Sequence, residues 1–213
     1  MDQCENRIEI DQLYKEYFIK YGIELSPIKN FNSIVDLEES EYIRNFNTFD
    51  GVILSGSGDI SIPISDIYPG KVSKYSFARD LTENYLINIA LKKSKKIIGI
   101  CHGMQKINEY FDGSIEPYYH CKKDTYSDQA IEHMVSTSGD VLANKKYIVN
   151  QYHDHCITLD GLASNMTVLA VDPRFNTIEC FENKILKIIC MQWHPERKSS
   201  SNEISNKLLN YFL

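Results

Sequence analysis

Lys96-Ile97-Ile98-Gly99-Ile100-Cys101-His102-Gly103-Met104-Gln105 decides the reading of this chain. A buried apolar run meets a cysteine and then a helical pattern, so the stretch reads as strand, tight turn and helix, with Cys101 on the turn. Glycines stand two residues away on either side, where neighbouring side chains would clash in a strained turn. Such a turn aims the sulfur above the sheet and beside the positive end of the helix, a setting that favours the thiolate. The plainer reading of any single cysteine is core packing. Of Cys4, Cys101, Cys121, Cys156, Cys180 and Cys190, none has zinc-ribbon or redox spacing, and Cys101 alone has strand, glycines and helix together.

Outward from the turn, Asp50 to Leu54 reads as a buried strand that runs into the tight loop Ser55-Gly56-Ser57-Gly58-Asp59. Phe77 to Lys93 carries Leu81, Tyr85, Leu86, Ile89 and Ala90 at helical spacing, and Met104 to Phe111 continues the turn as a helix. Residues 5–21 form an amphipathic helix ending at Gly22, Ile23 to Ile28 a short strand, and residues 34–46 another helix. This alternation points to a parallel sheet covered by helices on both faces. The later half changes character. Lys146 to Asn150, Met166 to Val171, Thr177 to Phe181 and Leu186 to Gln192 read as strands, followed by a helix from about Asn202 to Leu213. The expected class is α/β: a mostly parallel central sheet flanked by helices with a β-rich second half, in a single domain over residues 1–213.

Bulk properties exclude several partners. The 213 residues are 43% apolar and 24% charged, the profile of a globular chain with a real core. A net charge of −6, without a basic cluster, argues against nucleic acid and anionic membrane. The longest apolar runs, such as Lys187 to Trp193, are too short to span a bilayer, and the polar start is no secretory signal, so a cytoplasmic location is expected.

A second motif completes the chemistry. Met191-Gln192-Trp193-His194-Pro195-Glu196 follows an apolar strand and offers a histidine with a carboxylate two residues on. The carboxylate can hold the imidazole in one tautomer, and the imidazole can take the thiol proton and return it to a leaving amine. Alone, His-x-Glu is a common surface pattern; beside a nucleophile turn it reads as base and orienter.

Together, Gly99-Ile-Cys101-His-Gly103-Met-Gln105 and His194-Pro-Glu196 resemble the class I glutamine amidotransferase superfamily. The chain looks more closely like its γ-glutamyl hydrolase branch, which includes γ-glutamyl-GABA hydrolases and a γ-glutamyl-CDP-amidate hydrolase. Leu54-Ser55-Gly56 to Asp59 is similar to the family's oxyanion loop, Arg79-Asp80 to the branch's Arg-Asp helix, and Val149-Asn150-Gln151-Tyr152-His153 to its substrate-facing segment. The resemblance implies that Cys101 attacks a γ-glutamyl amide, that the backbone N–H groups of Ser57 and His102 hold the oxyanion, and that Gly56, Gln105, Tyr152 and His153 border the glutamyl pocket. The substrate is then a small γ-glutamyl amide or glutamine, with no cofactor. Stand-alone hydrolysis is the leading expectation, and a glutaminase subunit feeding a separate synthetase partner is the alternative. A non-catalytic binding relative is disfavoured by the presence of nucleophile, base and orienter.

Two departures from the family stand out. Gly56 is followed by Ser57 and then Gly58, where two adjacent glycines are usual. Family members open on a core strand, whereas this chain opens on the helix at Glu5-Asn6-Arg7, so either the sheet lacks one strand or the native start lies upstream. Other residues have plainer readings. His153-Asp154-His155, with His120 or His133, could be part of a metal site, but no zinc spacing supports it. Arg79 and Asp80 read equally as a helix-surface pair or as substrate contacts. Asp36 to Glu41 is a solvated helix face.

Overall fold

The computed structural model describes residues 12–56, 77–117, 131–139, 141–153, 155–197 and 202–213. Strands β1 (Gly51–Leu54), β2 (Lys96–Ile100) and β9 (Ile188–Met191) form a parallel ladder, with Ile97 opposite Ile188 and Ile100 opposite Met191. Strand side chains alternate between faces. Ile98, Ile100, Ile189 and Met191 therefore enter one core, and Ile97, Ile188 and Cys190 the other. Burial on both faces is why these strands read as unbroken apolar runs.

Helices fill the two faces by the same logic. The described part of α1 covers 12–18 and passes through a 3-10 turn, Ile19–Tyr21, to Gly22. With α6 (Asn202–Phe212) it covers the first face, through Tyr14, Tyr17 and Phe18 against Ile204, Leu208 and Leu209. Burying each of these aliphatic side chains contributes roughly 1.5–3 kcal/mol. Helices α4 (Phe77–Lys92) and α5 (His102–Tyr110) cover the opposite face with Leu86, Ile87, Ala90, Met104 and Ile107.

Beyond β9 the sheet turns antiparallel, in the order β1-β2-β9-β8-β7-β4-β5. Its members are β4 (Ile131–Thr137), β5 (Lys146–Gln151), β7 (Thr167–Asp172) and β8 (Thr177–Asn183). β6 (His155–Thr158) pairs with β8 and with the short β3 (Glu116–Pro117). The α/β class and the β-rich later half are as expected. β3, β4 and β6 are additions: β4 spends inward positions on His133 and Thr137, which hides its apolar alternation.

Two expected elements are corrected. Residues 34–46 do not form one helix but α2 (Ile34–Glu38), α3 (Glu41–Arg44) and a 3-10 turn, Phe46–Thr48. Ser40 is the cause: its hydroxyl donates to the Leu37 carbonyl at 2.6 Å, ending one helix, and accepts from the Ile43 N–H at 3.4 Å, starting the next. Ile23 to Ile28 is not a strand. Pro27 has no N–H for a ladder, Ile23 and Leu25 lean on one core and Ile28 on the other. The segment is then tied down where the Phe31 N–H donates to Thr82 Oγ1 at 2.9 Å. The N-terminal residues on which a missing first strand would be judged lie outside the described ones.

One buried serine joins the first face together. Ser205, on α6, accepts from Trp193 Nε1 at 2.9 Å, and the Tyr17 hydroxyl of α1 reaches it as well. Ser205→Ala should leave that buried indole N–H unpaired and lower stability by about 1–3 kcal/mol. A urea midpoint equal to that of the parent protein would show that the serine is not the joint.

Candidate active site

Strand β2 ends at Ile100, and its ladder runs one residue further: the Cys101 N–H donates 2.8 Å to the Met191 carbonyl of β9. Cys101 then turns sharply, with φ 52 and ψ −105, as the residue capping the N-terminus of α5. A non-glycine residue holds such backbone angles at a cost of order 1–3 kcal/mol, which the surrounding packing must offset. The helix follows at once because Gly103 has no side chain: a Cβ there would lie 2.1 Å from the Leu54 carbonyl oxygen. The sulfur is buried at the amino end of α5, where the helix dipole favours negative charge.

His194 arrives from the neighbouring strand. After β9 its backbone is gripped by Asn150, whose Nδ2 donates to the His194 carbonyl and whose Oδ1 accepts the His194 N–H, both at 2.8 Å. Its Nδ1 lies 2.6 Å from Glu196 Oε1, which leaves Nε2 to face the cysteine. Burial opposes charge on this imidazole, but the Cys101 sulfur, followed by Glu196, outweighs it and holds the group at about 9. Gln192 Nε2 approaches the sulfur at 3.6 Å. Gly56 is close enough that a Cβ on it would meet His194 Cε1 at 2.2 Å.

Tyr14 links these parts. Its hydroxyl accepts the Gly56 N–H at 2.9 Å. Burial, and then the charge of Glu196, push the phenol well above its usual range, so it stays protonated with Glu196 beside it. Tyr14 is not among the residues that the sequence marks for the site. Its spacing with Tyr17 and Phe18 marks an apolar helix face, and only the tertiary structure shows what the hydroxyl touches.

The remaining expected residues fall around this centre. The Tyr152 ring stands edge-on to His194, centroids 5.4 Å apart, with the Arg197 guanidinium 4.1 Å above it. Gln105 is buried and donates to Gln192 Oε1 at 3.1 Å and to the His155 carbonyl at 3.0 Å. His153 bonds through Nδ1 to the His155 carbonyl at 2.8 Å; burial lowers its proton affinity despite nearby Glu179. His102 Nε2 lies 2.9 Å from Glu83 Oε2. Ser57, His120 and Asp154 lie outside the described residues. His133 is buried 3.4 Å from Glu179, and among the described residues no group of three or more His, Cys, Asp or Glu could hold a metal ion. No helix among them is long and apolar enough to cross a membrane.

A thiol at a helix N-terminus, a charged imidazole and an orienting carboxylate can together perform nucleophilic acyl transfer. Comparison with known proteins shows the family of this chain. The model of the Peptidase C26 family matches residues 32–196. The γ-glutamyl-CDP-amidate hydrolase of Campylobacter jejuni is 31% identical over 176 residues, which cover 83% of this chain and 76% of the relative. The glutamine-hydrolyzing GMP synthase of Wolbachia pipientis is 27% identical over 175 residues, covering 80% of this chain and 30% of that longer protein. A glutamine amidotransferase from Thermotoga maritima shares the fold, with a TM-score of 0.60 at 16% identity, over 94% of this chain and 75% of that one.

The ion pair can be read directly. His194 should titrate near pH 9 in an imidazole NMR experiment, above its ordinary 6.5. Because the folded-state value is the higher one, protonation of His194 contributes stability in full below about pH 6.5 and that contribution is lost as pH rises through about 9. Glu196→Gln should bring the midpoint down. A parent midpoint near 6.5 would mean that sulfur and carboxylate do not hold the proton.

Proposed function

We propose, from the premise that this chain belongs to the Peptidase C26 family, that it is a hydrolase which cleaves γ-glutamyl amides through Cys101, His194 and Glu196. The observation that carries the reading is the meeting of a strained cysteine at a helix N-terminus with a His–Glu pair 2.6 Å apart.

The reaction follows from those groups. The Cys101 thiolate attacks the side-chain carbonyl carbon of a glutamine-like group, and the resulting oxyanion accepts hydrogen bonds from the backbone N–H groups of Ser57 and His102. Imidazolium His194 gives its proton to the departing nitrogen, the C–N bond breaks, and the amine leaves behind a γ-glutamyl thioester. Neutral His194 then takes a proton from water as the water oxygen attacks the thioester carbon. Glutamate departs, and the thiolate–imidazolium pair is restored. Glu196 keeps the proton-bearing Nε2 turned to the reacting atoms. Gly56, Gln105, Tyr152 and His153 border the glutamyl side, and no cofactor takes part.

Similarity to a glutamine-hydrolyzing GMP synthase favours a second reading, a glutaminase that passes ammonia to a separate synthetase. The two differ in where binding energy is used. A stand-alone hydrolase uses contacts with the amine half to reach its transition state, so glutamine should serve it poorly.

Cys101→Ala should lower kcat by about 10⁴-fold or more, and His194→Asn by several orders of magnitude. Glu196→Gln should cost less, since the carboxylate acts only through the imidazole. If the glutamate change is the more damaging, the roles are misassigned. The isolated protein should release glutamate from an N-substituted γ-glutamyl amide at least about tenfold more efficiently than from glutamine, a gap of about 1.4 kcal/mol. Silence on every such amide, with glutamine turnover only after a second protein is added, would establish the amidotransferase instead.

A further inference from the structure

Two arginines stand near the catalytic groups, and they differ in what their donors do. Arg79 Nη2 donates to the Ser55 carbonyl and its Nε to Glu83 Oε1, each at 2.7 Å. Arg197 directly follows Glu196. Its backbone N–H donates to the His194 carbonyl at 3.3 Å, so the turn that carries the histidine also fixes the arginine. The Arg197 guanidinium lies over the Tyr152 ring, 4.1 Å from its centroid, and Nε is 3.9 Å from Glu196 Oε1. That separation is too long for a hydrogen bond. Glu196 has its own close partner in His194, at 2.6 Å. Among the described residues the Arg197 side chain donates no hydrogen bond, and it is 31% exposed where that of Glu196 is 1%.

Stacking fixes the plane of the guanidinium and leaves its edge open. The N–H groups of arginine lie in that plane as a rigid fork, which fits the oxygens of a carboxylate or a phosphate. The aromatic face beneath holds the cation without using a donor. Arg79, by contrast, has its donors engaged with Ser55 and Glu83.

The site has a closed side and an open one. Gln105 and Gln192 bond to each other at 3.1 Å and are buried, and Gln192 reaches toward the Cys101 sulfur. Tyr152 and Arg197 are partly exposed. In the reaction proposed above, the glutamyl half stays bound through both steps. The amine half leaves after the first, and water takes its place. The half that leaves belongs on the open side.

We propose that Arg197, seated on Tyr152, is a specificity residue for the amine half, and that the amine it selects carries an anionic group, a carboxylate or a phosphate. The inference rests on the amidase reading above and deepens it by naming the class of amine.

The test compares γ-glutamylglycine and γ-glutamyl-phosphoethanolamine with the neutral γ-glutamylethylamide, on the parent protein, Arg197→Gln and Arg197→Lys. All of these substrates present the same glutamyl α-carboxylate, so only the amine half differs. The parent should favour the better anionic amide over the ethylamide by at least about tenfold in kcat/KM, as a site built to bond a polar group rejects the analogue without it. Arg197→Gln should erase that preference and leave the ethylamide within about threefold of the parent value. Arg197→Lys, which keeps the charge and loses the fork, should restore part of it. A parent without the preference, or a preference that survives Arg197→Gln, overturns the inference alone. So does an equal loss on every substrate, since the arginine would then serve the α-carboxylate or the catalytic groups. A parent silent on these amides yet active on γ-glutamyl-p-nitroanilide also overturns it. Silence on every γ-glutamyl amide removes the amidase reading and this inference with it.

Discussion

In the parallel ladder of β2 and β9, Ile100 stands opposite Met191, and the Cys101 N–H closes on the Met191 carbonyl at 2.8 Å. This register brings two distant pieces of sequence to one edge of the sheet. The strands run the same way, so both chains leave at the same end, one as a tight turn into α5 and the other toward His194. A slip of one residue would send Ile98 and Ile100 to the wrong face and carry the cysteine away from its histidine. The two apolar cores fix the register, and the register fixes the chemistry.

Around that ladder lies a polar shell whose members hold backbone as much as side chain. Asn150 takes both the N–H and the carbonyl of His194, Tyr14 takes the Gly56 N–H, and Arg79 takes the Ser55 carbonyl. Each bond contributes modestly on its own, about 1 kcal/mol. Their joint effect is positional: strand ends and loop peptides that could relax are held in one arrangement. The strained dihedrals of Cys101 persist for the same reason.

Sequence patterns expose some of this and conceal the rest. The strand–turn–helix at Cys101 was legible because apolar burial on both faces, flanking glycines and a helical onset coincide within ten residues. The contact of His194 with Glu196 was legible because the two stand two residues apart after an apolar strand. Tyr14 was not, since an aromatic residue on an amphipathic helix is explained by packing alone. Arg79 and Glu83 sit at a spacing that every exposed helix uses for ion pairs, and nothing local announces that this pair faces inward. Ser40 divided an expected helix by capping from both sides, and Ile23 to Ile28 found core contacts without a ladder. In each case a hydroxyl, or contacts with distant parts of the chain, overrode the apolar pattern.

Gly56 has a bearing on how such a protein can change through descent. A Cβ at this position would come within 2.2 Å of His194 Cε1, so alanine there forces the imidazole aside while the ladder and both cores remain as they are. One methyl group then separates a chain whose imidazole can face the Cys101 sulfur from one whose imidazole cannot. Descent can reach that state by a single codon change, without building a new fold.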